Sequence, residues 1–387
     1  MDDHVVFFFG AGISVPSGMP RVDEITQKVL EAPLVLTEHD RYVFPSSMET
    51  NPNIGQPCKT CKEDAVKVQE FINTVWEHAH TMLSQYGRKA NYEDLYALCG
   101  EVVSDQEVAK AAVDPINLTI RSFSETLRKE AEEYLLRNRE NPPSDLFHTA
   151  NEANFLISGV VRELLSMSPD KIRGLDPLLK AIQELDRVTI VTLNHDLLLE
   201  RFLEANDVEF VDGFQKVDYG VEKYSPDLLF GGSADVTVVK PHGSIDWYQD
   251  MDRGEYFSFS SLPPDPNREG YNLRPEPSIL SGYRKEERYT TGIFGDMVDA
   301  LVLALHEGST VIESGFGWGD YGMDRHLRRY LTRSDQNQLL ILHPENDFRA
   351  SHLFRGRFQG VPDNLHLLQE YLCDISWEEV KGYIKQI

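Results

Sequence analysis

A glycine-rich string, Gly10-Ala11-Gly12-Ile13-Ser14, follows the apolar run Val5-Val6-Phe7-Phe8-Phe9 and precedes a helical pattern. Glycine between a strand and a helix lets the backbone approach a diphosphate, and the helix N-terminus favours an anion. The string therefore predicts a phosphate-binding loop, although Val15 stands where the full dinucleotide pattern has a third glycine. A tight strand-to-helix turn without a ligand is the alternative.

Two further polar strings, Thr192-Leu193-Asn194-His195-Asp196 and Pro241-His242-Gly243-Ser244, also follow strand-like runs. The imidazole of His242 titrates near neutrality, so it can take a proton from a hydroxyl group or a water molecule. Its place at a strand end beside a glycine favours catalysis, and a purely structural histidine is the alternative. Asn194 and Asp196 follow a strand, where both residue types are also common helix caps.

Apolar strands that alternate with helical stretches position these strings. They predict an α/β protein, a Rossmann-like doubly wound and mostly parallel sheet with helices on both faces. The predicted strands are Val5–Phe9, Val188–Leu193, Glu209–Val211, Val236–Val239, Thr310–Ile312 and Gln338–Leu342. The predicted helices are Val22–Leu30, Asp196–Asn206, Phe294–His306 and Asp324–Thr332.

Two stretches interrupt this alternation. Residues 33–62 have the composition of irregular loop, and residues 63–166 are helical in pattern without an evident strand. We therefore expect a large helical insertion at about 35–180 and a second, loop-rich segment at about 250–290.

Composition and charge exclude several classes of protein. The chain has 387 residues, of which 41% are hydrophobic, and a formal net charge of -25. A nucleic-acid-binding surface needs clustered positive charge, so we expect no direct nucleic-acid binding. No apolar run approaches the ~20 residues of a membrane helix. The beginning of the chain lacks the basic segment of a signal peptide, which predicts a cytoplasmic protein without membrane association.

The four cysteines do not form a recognisable metal site. Cys58 and Cys61 make a single C-x-x-C pair, and a structural zinc ion needs four ligands. We therefore expect no metal and read the pair as two plain thiols on a loop.

The strings together resemble the motifs of the sirtuin family. The first continues as Ser17-Gly18-Met19-Pro20 and is similar to the sirtuin nucleotide loop, G-A-G-I-S-x-x-S-G-I-P. The second is similar to the sirtuin string T-Q-N-I-D, with Leu193 in place of glutamine, and His242-Gly243 matches the sirtuin H-G pair. The resemblance covers roughly residues 1–30 and 185–372, so we expect residues 1–387 to form one sirtuin-like domain that carries the insertion.

Two other strings look like the branch of sirtuin-like proteins found in bacterial anti-phage systems. One is Ser244-Ile245-Asp246-Trp247, and the other is the loop Gly315-Phe316-Gly317-Trp318-Gly319-Asp320. Sirtuin deacylases carry a four-cysteine zinc ribbon after the catalytic histidine, whereas residues 243–372 of this chain contain no cysteine. The resemblance therefore implies a sirtuin-like core without the substrate-peptide module.

The resemblance implies a role for each matching residue. Asn194 would position water at the anomeric carbon, His242 would be the general base, and Asp196 would contact the carboxamide or fix the loop. The implied cofactor-binding residues are Gly10, Ala11, Gly12, Ile13, Ser14, Arg21, Thr192, Gly315, Phe316, Gly317 and Asp320.

The implied activity is that of an NAD+ nucleosidase, which cleaves NAD+ to nicotinamide and ADP-ribose as an abortive-infection effector. Two alternatives stay open: an NAD-dependent protein deacylase or ADP-ribosyltransferase, and a non-catalytic subunit that binds NAD+ or ADP-ribose. Because free NAD+ consumption would kill the host, the resemblance also implies a trigger. That trigger would be assembly into a homo-oligomer or filament, or a partner such as a HerA-type ATPase or a short Argonaute.

Overall fold

The computed structural model describes residues 4–31, 35–37, 41–50, 56–58, 62–85, 87–100, 142–166, 171–218, 220–231, 234–260, 270–282, 285–344 and 362–385. Within these residues, no helix is long and apolar enough to cross a membrane. The strands are β1 (His4–Phe9), β2 (Val35–Leu36), β3 (Tyr42–Val43), β4 (Arg187–Thr192), β5 (Phe214–Asp218), β6 (Val221–Tyr224), β7 (Val236–Val239), β8 (Trp247–Gln249), β9 (Tyr256–Phe259), β10 (Thr310–Ser314), β11 (Gln338–Leu342) and β12 (Leu365–Leu368).

The helices that pack on these strands come from all parts of the described chain. They are α1 (Val22–Glu31), α2 (Pro45–Thr50), α3 (Lys62–Ser84), α4 (92–100), α5 (Pro142–Leu165), α6 (Asp176–Glu184), α7 (Leu198–Ala205), α8 (Pro226–Phe230), α9 (Lys285–Arg288), α10 (Gly292–Glu307), α11 (Tyr321–Arg333) and α12 (Trp377–Lys385).

The central sheet has six strands in the order β12-β11-β10-β1-β4-β7. Every neighbouring pair in it is parallel. The chain runs outward from β1 through β4 to β7, and then returns to the other side of β1 with β10, β11 and β12. This is the doubly wound α/β arrangement, so the predicted fold class is confirmed. The order of strands reverses between β1 and β10, and open α/β sheets bind their ligands at such a switch point.

Both faces of the sheet are covered, which explains the continuous apolar run of β1. Phe7 and Phe9 point into one hydrophobic cluster, which includes α1, α5, α6 and α7. Val6 and Phe8 point into a second cluster, formed with α10 and α11. A strand that is buried on both faces has no solvent side, so its sequence does not alternate between polar and apolar residues.

A second sheet, with the order β5-β6-β9-β8, lies outside the predicted elements. It is antiparallel, and β9 falls within the segment that the sequence predicts to be loop-rich. Residues 33–62 also differ from the predicted irregular loop, because they contain the β2–β3 hairpin and α2. The predicted strand Glu209–Val211 is not formed, and only an isolated bridge joins Val211 to Thr237.

Among the described residues between α1 and β4, most belong to helices. α3 packs against α5, and α5 also contacts α1 and β3. Residues 101–141 lie outside the described residues. The limits of the insertion, and of the single domain proposed to carry it, stay predictions.

Candidate active site

The predicted strings begin at one edge of the central sheet because the strands are in register. Phe9 at the end of β1 pairs with Thr192 of β4 and with Ser314 of β10. One strand further, Val191 pairs with Val239 of β7. The segments that follow these strands therefore leave the sheet side by side, at the carboxyl ends of parallel strands and beside the switch point.

The two glycine loops touch through their backbones. The Gly10 N–H donates to the carbonyl of Ser314 at 3.0 Å, and the Gly12 N–H donates to the carbonyl of Gly315 at 3.1 Å. A Cβ on Gly10 would lie 2.5 Å from the Gly315 carbonyl oxygen, and one on Gly12 would lie 2.6 Å from the Gly315 Cα. Gly315 itself has a φ of +74°, in the left-handed region that favours glycine. This close approach alone requires glycine at all three positions.

A chain of hydrogen bonds fixes the amide of Asn194. Its Nδ2 donates to the Ser14 hydroxyl at 3.0 Å, and that hydroxyl donates to Asp196 Oδ2 at 3.0 Å. Asp196 Oδ1 accepts from the Leu198 N–H at 3.0 Å, near the start of α7. Both carboxylate oxygens of Asp196 are thus engaged, and Asn194 is held with its amide nitrogen toward Ser14. Its Oδ1 accepts no hydrogen bond from any described residue, so it can accept one from a ligand or a water molecule.

Lys240 stabilises the loop that carries Asn194 and Asp196. Its side chain is 2% exposed, and its ammonium donates to the Asp196 carbonyl oxygen at 2.7 Å and to Glu200 Oε1 at 2.6 Å. Burial raises the pKa of Glu200, and the ammonium of Lys240 counteracts that rise. A buried ammonium is costly unless it is paired and hydrogen-bonded, and both conditions are met here.

His242, Tyr289 and Asp320 form a closed triangle of polar atoms. His242 Nε2 lies 2.8 Å from the Tyr289 hydroxyl and 3.1 Å from Asp320 Oδ2. The Tyr289 hydroxyl donates to the same Asp320 oxygen at 2.9 Å. Asp320 also caps α11, since its Oδ1 accepts from the Met323 N–H at 3.0 Å. The second glycine loop therefore ends in a carboxylate that faces the predicted base.

Burial and local charges set the ionisation of this triangle. Burial lowers the pKa of His242, and the positive charge of Lys285 lowers it further, while Asp320 acts in the opposite direction. Burial would raise the pKa of Asp320, but the hydrogen bond from His242 and the positive charge of Lys285 hold it below its usual range. The resting site thus holds a neutral imidazole next to an ionised carboxylate.

His195 belongs to the loop of Asn194 and lies next to His242 of the triangle. Its ring centroid lies 6.2 Å from that of His242, and its carbonyl accepts from the Ile245 N–H at 3.0 Å. Burial lowers the pKa of His195 well below its ordinary value, and the positive charge of Lys285 lowers it further. The strings around Asn194 and His242 are therefore one connected site.

The remaining predicted residues have few described contacts with this site. The Thr192 hydroxyl accepts from the Asn194 N–H at 3.2 Å, and Arg21 is exposed at the start of α1, with its own N–H bonded to Glu24. No described contact joins the Arg21 side chain to the site. Their cofactor contacts stay predictions, as do those of Ala11, Ile13, Phe316 and Gly317; Ile13 and Phe316 are buried, and Ala11 and Gly317 are exposed.

Sequence reasoning missed Lys240, His195, Tyr289 and Lys285. The first two carried a signal, because Lys240 directly precedes Pro241 and His195 lies inside the Asn194 string. Tyr289 and Lys285 fall in or beside the loop-rich segment, where no spacing distinguishes them from their neighbours.

The cysteines take no part in the hydrogen bonds described for this site. Across the described ranges, no group of three or more His, Cys, Asp or Glu side chains is arranged to hold a metal ion. Cys58 is disulfide-bonded, which corrects the prediction of a plain thiol there. Cys61 lies outside the described residues. Cys99 and Cys373 are free thiols.

Comparison with known proteins gives structural likeness only. No family model matches the chain, and no curated protein matches it. Among solved structures, one similar chain is a mutant Sir2 homologue with 2′-O-acetyl ADP-ribose, at 14% identity, 99% coverage of this chain, 92% coverage of that chain and a TM-score of 0.40. Another is a Sir2 homologue in complex with NAD, at 12% identity, 99% and 88% coverage and a TM-score of 0.38. Such low values establish neither the family nor an activity for this chain.

Proposed function

We propose that the protein is an NAD+ glycohydrolase that releases nicotinamide and ADP-ribose. The observation that carries the proposal is that the buried Asn194 amide and His242 imidazole lie in one connected site, joined through His195, beside the switch point of a doubly wound sheet. An amide oxygen that accepts no hydrogen bond from the described residues, together with a neutral, buried imidazole, supplies the two groups that a hydrolytic attack on a sugar carbon needs. The resemblance of the sequence to sirtuins indicates NAD+ as the substrate.

The surroundings of the site fit a dinucleotide. Cβ atoms placed on Gly317 and Gly319 would meet nothing within 4 Å, so open space borders the second glycine loop. The close contact of Gly10 and Gly12 with Gly315 keeps side chains away from the switch point, where a diphosphate would lie. The Ser14 hydroxyl and the Gly12 N–H already have protein partners, so we expect them to shape the pocket more than to bind phosphate directly.

The proposed reaction breaks the bond between C1′ of the ribose and the nicotinamide nitrogen, and the bonding electrons stay with nicotinamide. The leaving group is cationic before it departs, so it needs no acid. A water molecule that donates a hydrogen bond to Asn194 Oδ1 forms the new bond to C1′. Its proton passes to His242 and then to solvent. Removing the proton by a positioned base is worth roughly 10²–10⁴-fold in comparable enzymes, and misplacing a reacting group by about 1 Å costs on the order of 10²-fold.

We further propose that the enzyme acts in the cytoplasm as an anti-phage effector and is silent until it is triggered. Asn194 and His242 are only 8% and 4% exposed, which supports a site that is closed at rest. Assembly into a homo-oligomer, or contact with a partner such as a HerA-type ATPase, would open it. These assignments of pathway and partner rest on the sequence resemblance.

The test is product analysis of NAD+ incubated with the purified protein, alone and together with any proteins that co-purify with it. We expect equal amounts of nicotinamide and ADP-ribose, and we expect the His242→Ala and Asn194→Ala variants to lose both products. His306→Ala is the matched control, because His306 is exposed on α10, outside the site.

Other outcomes would select the alternatives. NAD+ consumption that requires an added protein or acylated peptide would indicate a transferase or deacylase. Tight binding of NAD+ without any turnover, under every condition of assembly and partner, would indicate a sensor subunit and refute the glycohydrolase.

A further inference from the structure

The proposed function requires a basic nitrogen on His242, and the position of the histidine proton decides which of the two nitrogens that is. Neutral imidazole has two tautomers, and only the nitrogen without the proton can act as a base. The triangle of His242, Tyr289 and Asp320 engages one of the two nitrogens, Nε2. The other nitrogen, Nδ1, forms no hydrogen bond with any described residue.

Asp320 dictates which atoms must donate within the triangle. Its Oδ1 is bound by the Met323 N–H and its Oδ2 by the Tyr289 hydroxyl, so the carboxylate is ionised and accepts hydrogen bonds only. An ionised carboxylate 3.1 Å from Nε2 requires a proton on that nitrogen. The Tyr289 oxygen can accept from the same N–H while it donates its own proton to Asp320.

We infer that Asp320 and Tyr289 hold His242 in the Nε2–H tautomer, which leaves Nδ1 as the basic nitrogen of the site. Both are positioning residues, since they act through the imidazole. When Nδ1 takes a proton, the resulting imidazolium stays paired with Asp320, and this pairing stabilises the charge that forms. A carboxylate of this kind governs the orientation and tautomer of the base in serine proteases, where its replacement by asparagine lowers kcat by about 10⁴-fold.

The neighbouring charges agree with a neutral resting imidazole. Lys285 lies close enough to lower the pKa of both His242 and His195, and it is itself paired with Glu93 at 3.2 Å. His195 faces the His242 ring from the Asn194 loop and is also held neutral by burial. Asp320 is therefore the group that fixes the His242 proton.

The test is the tautomer itself, read from nitrogen-to-carbon-bound-proton correlation spectra of the full-length protein with ¹⁵N-labelled histidine. The His242 signals are assigned by their loss in His242→Gln. We expect the Nε2–H pattern in the parent protein. In Asp320→Asn the side-chain amide can still cap α11 but can donate to Nε2, so we expect the Nδ1–H pattern. Asp335→Asn, an exposed change beyond α11, is the control and should leave the spectrum unchanged.

Kinetics then separate this inference from the proposed function on which its catalytic meaning rests. We expect Asp320→Asn to lower kcat for NAD+ hydrolysis by about 10³-fold or more, with KM within about threefold, and Tyr289→Phe to lower kcat by about tenfold. An Nδ1–H pattern in the parent protein overturns the inference, whether or not any variant folds. The Nε2–H pattern in a protein that never consumes NAD+ supports the tautomer assignment and refutes the glycohydrolase.

Discussion

Glu313 makes the stability of this protein depend on pH in a way that one substitution should remove. It lies on the central strand β10, fully buried, and pairs in register with Phe8 of β1 and Ile341 of β11. Its Oε1 accepts from the Phe316 N–H at 2.8 Å, at the start of the second glycine loop. Burial raises the pKa of this carboxyl from 4.5 to about 8, so it is neutral in the folded protein at pH 7.

The sign and size of the effect follow from proton binding. Between pH 4.5 and about 8, folded Glu313 holds a proton that the unfolded chain has released. The contribution of Glu313 to the free energy of unfolding therefore falls as pH rises through that window, by about 1.4 kcal/mol per pH unit. Over the full window this amounts to ~5 kcal/mol, a large part of the ~5–15 kcal/mol that stabilises a typical domain.

Glu313→Gln keeps an acceptor for the Phe316 N–H and removes the titration. We expect the difference in free energy of unfolding, variant minus parent, to increase by about 1.4 kcal/mol per pH unit between pH 5 and 8. Urea unfolding followed by fluorescence and circular dichroism, at fixed ionic strength, measures the difference. Comparing slopes, rather than values at one pH, cancels any constant cost of the new amide.

Glu209→Gln is the matched control, because Glu209 is exposed and outside the sheet. Its stability should follow the parent at every pH. Parallel curves for Glu313→Gln and the parent between pH 5 and 8 would refute the reasoning, since they would mean that Glu313 titrates alike in the folded and unfolded states.

Three further predictions concern the site. Gly10→Ala should destabilise the protein by ~1–3 kcal/mol in thermal unfolding, because its Cβ would lie 2.5 Å from the backbone of Gly315. Gly317→Ala is the control and should not destabilise it, because a Cβ there would meet nothing within 4 Å. Equal losses in the two variants would contradict the proposed clash. Lys240→Met should cost ~3–5 kcal/mol in urea unfolding by leaving Glu200 unpaired, and adding Glu200→Leu should recover most of that loss; no recovery would mean that Lys240 acts elsewhere. Ser14→Ala should lower kcat for NAD+ hydrolysis by about 10–100-fold at unchanged KM, because it frees the amide of the water-positioning residue, and steady-state kinetics with an unchanged kcat would disprove that role.

The sequence predicts the central strands well because burial on both faces produces long apolar runs. β1 and β11 have this character, and β4, β7 and β10 combine apolar residues with β-branched threonine; the sequence predicts each of the five to within two residues. β12 and the second sheet were missed for a related reason. Their strands are short and partly exposed, as in β5, where four of the five residues are exposed. Local sequence alone does not distinguish such strands from loops.

The meeting of the glycine, Asn194 and His242 strings was predictable, because all three follow strands of one parallel sheet. The contact between Asp320 and His242 was not, although both residues were singled out from the sequence. It depends on the turn of the second glycine loop, where Trp318 has a φ of 54°, and on Tyr289 arriving from another segment. Long-range packing sets both of these features, so no local pattern encodes them.

The position of β1 has a consequence for how the chain is made. It is synthesised before both of the segments with which it pairs, residues 187–192 and 310–314. At about 5–20 residues per second, the last of these leaves the ribosome on the order of tens of seconds later. Val5-Val6-Phe7-Phe8-Phe9 has neither neighbour until residues 187–192 emerge, and it lacks the second one until residues 310–314 follow. Pairing between residues so far apart in sequence also slows folding. A strongly apolar strand thus waits for its partners during synthesis, and we expect the nascent chain to depend on chaperones to keep it from aggregating.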